Sequence, residues 1–430
     1  MHLRKDHIRK GPDLFSCMSV VLFIAFFSPP QLHAQQGGKI RFGNLSIIPG
    51  VEVQDVYDDN IYMGNGKEYP DDPARTANEK KESDWITHVK PGLILNYQIP
   101  DRGNINLGYQ GDFAFYNNNN GNNWKNQQGN FGVNYREPGG LILGINEFYT
   151  RVQDPFGSAD QYNIGRITKR WTNDVKTKLG FEIAENFRSL LYYNNYKQKY
   201  DNSELDYSQD YTDNEYGVGL ETRILARTWG FLRYHYGVRK YDTNAPGQTD
   251  VFNSNGTWQR VSTGLTWDPG AKLSGELNLG YQWNGYDHLF TDATQAVQRE
   301  GKNTWVATTS INYLLTETTN LSLYLIRTIR NTSSDTNEHL VDTVIGLNLQ
   351  EKLLAKLAFS AGITFIKSEY NLPVGNERTD NSYMANIGLN YAIQDWLGVG
   401  VSYNYNRKNS NTELNEFIDN QFMVMLKIVY

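Results

Sequence analysis

The segment LGVGVSYNYN, running from Leu397 to Asn406, sets Leu397, Val399, Val401, Tyr403 and Tyr405 against Gly398, Gly400, Ser402, Asn404 and Asn406. A period of two puts successive side chains on opposite faces of an extended strand, so this stretch separates an apolar face from a polar one completely. The pattern recurs along the chain. Ile105, Leu107, Tyr109, Phe113 and Phe115 alternate with Asn106, Gly108, Gln110, Asp112 and Ala114, and Leu357, Phe359, Ala361, Ile363 and Phe365 alternate in the same way with small and polar residues. Strands with one wholly apolar face either cover a protein core or face lipid.

The residues beyond position 34 contain no run of about 18 apolar residues, the length a spanning helix needs, and mean hydropathy is −0.59. A helical bundle in a membrane is thereby excluded. The first 34 residues read differently: Arg4, Lys5, Arg9 and Lys10 precede an apolar run from Met18 to Phe27, then Pro29-Pro30 and Leu32-His33-Ala34. That order predicts a cleaved secretory signal peptide over residues 1–34, with residues 35–430 as the mature domain. The single cysteine, Cys17, lies within the signal, so the mature chain is expected to carry no disulfide and no thiolate metal site. Its 37 basic and 45 acidic residues leave a charge of −8, which argues against a nucleic-acid partner.

Connections between the alternating segments come in two kinds. Short ones such as IPDRG (99–103), REPGG (136–140) and QDW (394–396) exchange with longer polar ones such as NNNNGNNW and RNTSSDTNEH. Tight turns on one side and extended loops on the other, with 29 tyrosines, 9 tryptophans and 38 glycines, match an outer-membrane barrel. Eighteen strand segments fit between residues 43 and 430, so the expected fold is all-β: a transmembrane antiparallel meander barrel of about 18 strands. The first would pair with the last, because unpaired backbone groups have no water partner in lipid. In the last, Phe422, Val424, Leu426, Ile428 and Tyr430 alternate with Met423, Met425 and Lys427 and end on an aromatic residue. This is the expected closing strand, and by similarity to outer-membrane barrels it is the signal that barrel-assembly machinery would read.

The stretches PGVEVQDVYDDNIY and SDWITHVKPGLILNY resemble the putative beta-barrel porin, type 2, group, on Asp59-Asn60, Ser83-Asp84 and Pro91-Gly92-Leu93. Members of that group often accompany exopolysaccharide synthesis and export, so the resemblance implies polymer passage, with periplasmic export proteins as partners. It transfers no catalytic residues.

Residues opposite the apolar faces would line the lumen. Among them Arg223, Arg233, His235, Arg239, Arg260, Lys272 and Glu276 form the candidate pore-lining set. Arg233, His235 and Arg239 share one strand face, and such a cluster could select an acidic sugar through bidentate arginine contacts. The other reading is that these charges pair across neighbouring strands and stabilise the wall. Trp85, Tyr135, Trp171, Trp258, Trp267, Trp305, Tyr313, Tyr383 and Tyr391 read as a lipid-facing interfacial girdle, and Tyr116, Trp124 and Tyr241 as candidates for ligand contact. Loops 57–83 and 153–169 could fold inward as constrictions. An enzyme is disfavoured, since the only acid–base candidate, Asp287-His288, has adjacent side chains on opposite sides of a strand. Loops such as YPDDP lack EF-hand spacing, and neither metal nor cofactor is expected. The functions left open are a polysaccharide export pore and, as the alternative, a general or substrate-selective diffusion porin.

Overall fold

The computed structural model describes residues 40–66, 81–154, 168–201, 210–242, 255–267, 272–287, 289–291, 296–298, 301–330, 339–371, 378–411 and 415–430. Eighteen long strands follow one another. The first six are β1 (Leu45–Asp58), β2 (Asp84–Ile99), β3 (Gly103–Tyr116), β4 (Trp124–Arg136), β5 (Leu141–Asp154) and β6 (Thr168–Ala184). Next come β7 (Phe187–Tyr200), β8 (Tyr211–Leu225), β9 (Thr228–Tyr241), β10 (Gly256–Trp267), β11 (Leu273–Tyr286) and β12 (Asn303–Leu314). The last six are β13 (Thr319–Arg330), β14 (His339–Lys352), β15 (Leu357–Asn371), β16 (Arg378–Gln394), β17 (Leu397–Ser410) and β18 (Phe417–Val429). A short strand, Ile40–Phe42, folds back on the start of β1, and Leu289–Thr291 pairs with Ala296–Gln298 in a separate small hairpin.

Each long strand pairs antiparallel with the next, and β18 returns to β1 from Gly50↔Val429 to Asp58↔Gln421. The sheet is therefore closed, with no edge left to satisfy. Closure sorts the two faces. Phe422 and Val424 are 61% and 57% exposed while Met425, next along the strand, is 9%, so the even-numbered residues of β18 face outward as the spacing requires. Around the barrel the outward register carries Leu107, Phe131, Leu191, Leu232, Ile345 and Val401, all exposed, whereas the inward register carries Asp174, Glu221, Arg233, Asp342 and Lys408, all buried. Apolar surface exposed on this scale is stable only against lipid.

Aromatic side chains behave in two ways. Trp85, Trp305, Tyr383 and Tyr391 stand exposed on the outward register, as expected of a girdle. Trp258 does not. It pairs with Gly237, which shares the inward register of His235, and its indole lies over that glycine, where an added Cβ would come within 2.0 Å of the ring. The same device places Tyr324 over Gly346, again at 2.0 Å from an added Cβ. Tyr116 and Trp124 also pack inside the protein, in a small apolar cluster with Ile61, Tyr62, Ile86 and Ala114, and Tyr241 lies 5.5 Å from the Tyr211 ring. Positions 67–80 and 155–167 of the two expected constriction loops, and His288, lie outside the described residues.

Candidate functional site on the inner wall

Strands β7 to β11 bring together the densest group of charges on the inward face. Register sets the neighbours. Phe231 of β9 pairs with Glu221 of β8, His235 with Arg260 of β10, and Arg188 of β7 with Glu221. Side chains at i and i+2 on one strand and opposite one another on adjacent strands share a face, so the charges meet.

Arg233 is the centre. Its Nη1 and Nη2 donate to the two carboxylate oxygens of Glu276 at 2.9 and 3.0 Å, and Nη2 also donates to Glu221 at 3.0 Å. The fork matches the carboxylate geometry, which a lysine could not reproduce. Its guanidinium lies 3.7 Å from the Phe231 ring centroid. Glu221 takes a second bond from Arg188 Nε at 2.5 Å. Further along the same face, His235 Nδ1 lies 2.5 Å from Glu215 and Arg260 donates to Glu215 at 2.8 Å, while Arg239 pairs with Asp213 through both forks. Arg223 makes no ion pair among the described residues. It and Arg188 sit on the Trp229 ring, at 4.7 and 4.0 Å from its centroid.

The structure thus brings Arg223, Arg233, His235, Arg239, Arg260 and Glu276 onto one inward patch. Lys272 stands apart: it precedes β11 at the short-turn end, exposed, with its ammonium 5.3 Å from the Tyr313 ring. Arg188, Glu215, Glu221 and Asp213 complete the network. Five arginines face four carboxylates, so the patch is almost compensated. Similar pairs recur round the wall, including His88–Asp112 at 2.9 Å, Lys176–Asp174 at 3.1 Å and Arg330–Asp342 at 2.5 Å. Between them stand hydroxyls and amides such as Thr150, Thr172, Gln282, Thr364 and Asn390.

The sequence matches the profile described as Putative beta-barrel porin 2 over residues 34–430. The chain belongs to that family. It is an outer-membrane porin-like β-barrel. No curated protein matches the chain significantly. Among solved structures, OccK2 (OpdF) of Pseudomonas aeruginosa is 11% identical, with a TM-score of 0.43, covering 91% of this chain and 100% of its own. The outer membrane protein OpdK of the same organism is 12% identical at a TM-score of 0.40, covering 89% and 99%. Its siderophore receptor PirA is 6% identical at 0.38, covering 89% and 80%.

In this member of the Putative beta-barrel porin 2 family the residues carrying the resemblance are structural. Asp59 accepts hydrogen bonds from Asn420 N and Nδ2, at 2.8 and 2.9 Å, and pairs with Lys81 at 2.9 Å. Asn60 Nδ2 donates to the carbonyls of Gly64 and Ile418, both at 2.9 Å. Together they staple β1 to β18. Asp84 collects the backbone N–H groups of Trp85, Asn118 and Asn119, and so pins the loop after β3. Pro91 has no N–H to give, and the β2–β3 register is interrupted at Lys90 and Pro91 between Val89↔Phe113 and Gly92↔Gln110.

Proposed function

We propose that the protein is a passive channel, with no covalent chemistry and no cofactor, whose lumen passes a secreted polysaccharide across the outer membrane. The observation that carries this reading is the inner wall: it is largely polar, and most of its charges among the described residues are paired with one another. An eighteen-stranded barrel encloses a water-filled lumen. A wall of paired charges, amides and hydroxyls offers a polyhydroxylated chain many weak, exchangeable hydrogen bonds and little net field, which favours entry without trapping. The family resemblance to proteins accompanying exopolysaccharide export agrees with it. Export proteins would dock at the short-turn mouth, and the assembly machinery would read Phe422 to Tyr430.

The patch from Arg223 to Arg260 favours a second reading, a diffusion porin selective for small acidic solutes, because Arg223 keeps a guanidinium without a carboxylate among the described residues. Efflux from proteoliposomes separates the two. Release of long neutral oligosaccharides supports polymer passage; release of mono- and disaccharides only, with acidic ones faster, supports the selective porin and refutes the first reading.

A further inference from the structure

The outward register of β6 runs from Phe181 through Leu179, Val175 and Asn173 to Trp171 and Lys169. Phe181 to Trp171 is ten residues, which at about 3.3 Å each and a tilt of about 40° gives roughly 25 Å, the height of the apolar band. Trp171 therefore marks the interface on the long-loop side. Its register partners there are basic: Arg151 on β5 and Lys199 on β7, with Lys125 and Lys169 just beyond. Lys125, Lys169 and Lys199 are exposed and have no carboxylate partner among the described residues; Arg151 pairs with Asp201. On β13 and β15, by contrast, outward Arg327 and Lys367 are both answered by Glu369, at 3.6 and 2.9 Å.

Directly below this basic rim lies a groove of 390 Å³ lined by Tyr109, Gln127, Gln128, Gly129, Tyr149 and Arg151. Gly129 makes it. It is the register partner of both Tyr109 and Tyr149, so a missing side chain separates two exposed rings, and an added Cβ would meet nothing nearer than 3.8 Å. Phe131 and Val133 continue the same face toward the bilayer centre. Glu147, paired in register with Phe131, is the acidic group of this face inside the apolar band; it lies four residues, roughly 10 Å, below Arg151.

We propose that this face of β3 to β7 binds an outer-leaflet lipid with a phosphorylated sugar headgroup, its phosphates held by Arg151, Lys125 and Lys199 and one acyl chain laid in the Gly129 groove. Cations at interface height attract anionic headgroups, and an aromatic-walled slot beneath them accepts the hydrocarbon. The charge and the groove meet at Arg151.

The test uses the full-length barrel in detergent, with lipid retention read by native mass spectrometry. The probes are phosphorylated lipid A, the same lipid dephosphorylated, and inorganic phosphate. Wild type should retain the phosphorylated lipid at least about tenfold better than the dephosphorylated one, and K125Q/R151Q/K199Q should lose that preference. K125R/R151K/K199R should keep it, Glu147→Gln should leave it unchanged, and Gly129→Leu should weaken retention with every cation in place. Heat-modifiable migration in SDS gels identifies folded variants. Equal retention of the two lipids by wild type, or an undiminished preference in folded K125Q/R151Q/K199Q, would overturn the site. Full competition by inorganic phosphate alone would overturn its assignment to a lipid.

Discussion

Replacing Arg233 with methionine keeps most of the side-chain volume and removes the centre of the inner-wall network. Its side chain is 5% exposed, and that of Glu221 is 2%. Three charge-assisted hydrogen bonds disappear, two to Glu276 and one to Glu221. Such bonds contribute about 1.5–3 kcal/mol each, and part of their loss is offset by the desolvation the arginine no longer suffers. The larger cost is what stays behind. Glu221 keeps Arg188, whereas Glu276, 15% exposed, loses its charged partner and must turn toward lumen water. Breaking a buried pair by removing one member costs about 3–5 kcal/mol, and partial rehydration of Glu276 puts the expected loss near 3 kcal/mol. Urea unfolding in lipid vesicles, followed by tryptophan fluorescence, measures it. The double variant R233M/E276Q should recover part of the loss, since no unpaired carboxylate then remains at that position. A loss below about 1 kcal/mol, or no recovery in the double variant, would refute the claim that these charges are held as a buried network.

Ile387 faces outward midway along β16, between Tyr383 and Tyr391, while Gly388 faces the lumen beside Ser360 and Ser402. Ile387→Arg should destabilise the barrel by about 2–4 kcal/mol and Gly388→Arg should chiefly change conductance; equal effects would mean the faces are misassigned. Charge at the end of β18, as in Tyr430→Asp, should reduce assembly in the outer membrane, because the Tyr430 N–H closes onto the Pro49 carbonyl and its exposed ring faces outward; normal surface levels would remove that role. Burial alone would raise the Asp59 pKa, but the bonds from Lys81 and Asn420 outweigh it and hold the carboxyl below the usual aspartate range. A depressed pKa stabilises the fold above the unfolded value and ceases to do so as pH falls through the folded one. The stability gap between wild type and Asp59→Ala should therefore be full near neutrality and shrink below about pH 4, and a gap independent of pH would contradict the staple.

Most of the wall was legible because its period is two and its outer face must be apolar: the alternation of Leu397 to Tyr405 or Phe422 to Tyr430 has one use in a closed sheet. What depends on register was not. Arg188 and Glu221 sit on different strands, and their meeting follows from a cross-strand pairing that no single strand records. Trp258 reads as girdle together with Trp267, although nine residues apart on one strand the two must face opposite sides; a tryptophan near a strand end reads alike whether it meets lipid or covers a glycine. Leu353 and Leu354 are exposed at the short turn before β15, where Leu354 and Leu357 exchange backbone hydrogen bonds, and the strand begins at Leu357. The roles of Asp59, Asn60 and Asp84 were equally hidden, since a polar residue at a strand end can serve a ligand or a backbone with the same chemistry.

The central claim is an open, polar conduit through the eighteen strands. Single-channel recording of the purified, refolded protein in a planar bilayer tests it most directly. A stable ohmic conductance, blocked by long oligosaccharides added on one side, is the expected result. Folded protein that inserts and passes no current would contradict it.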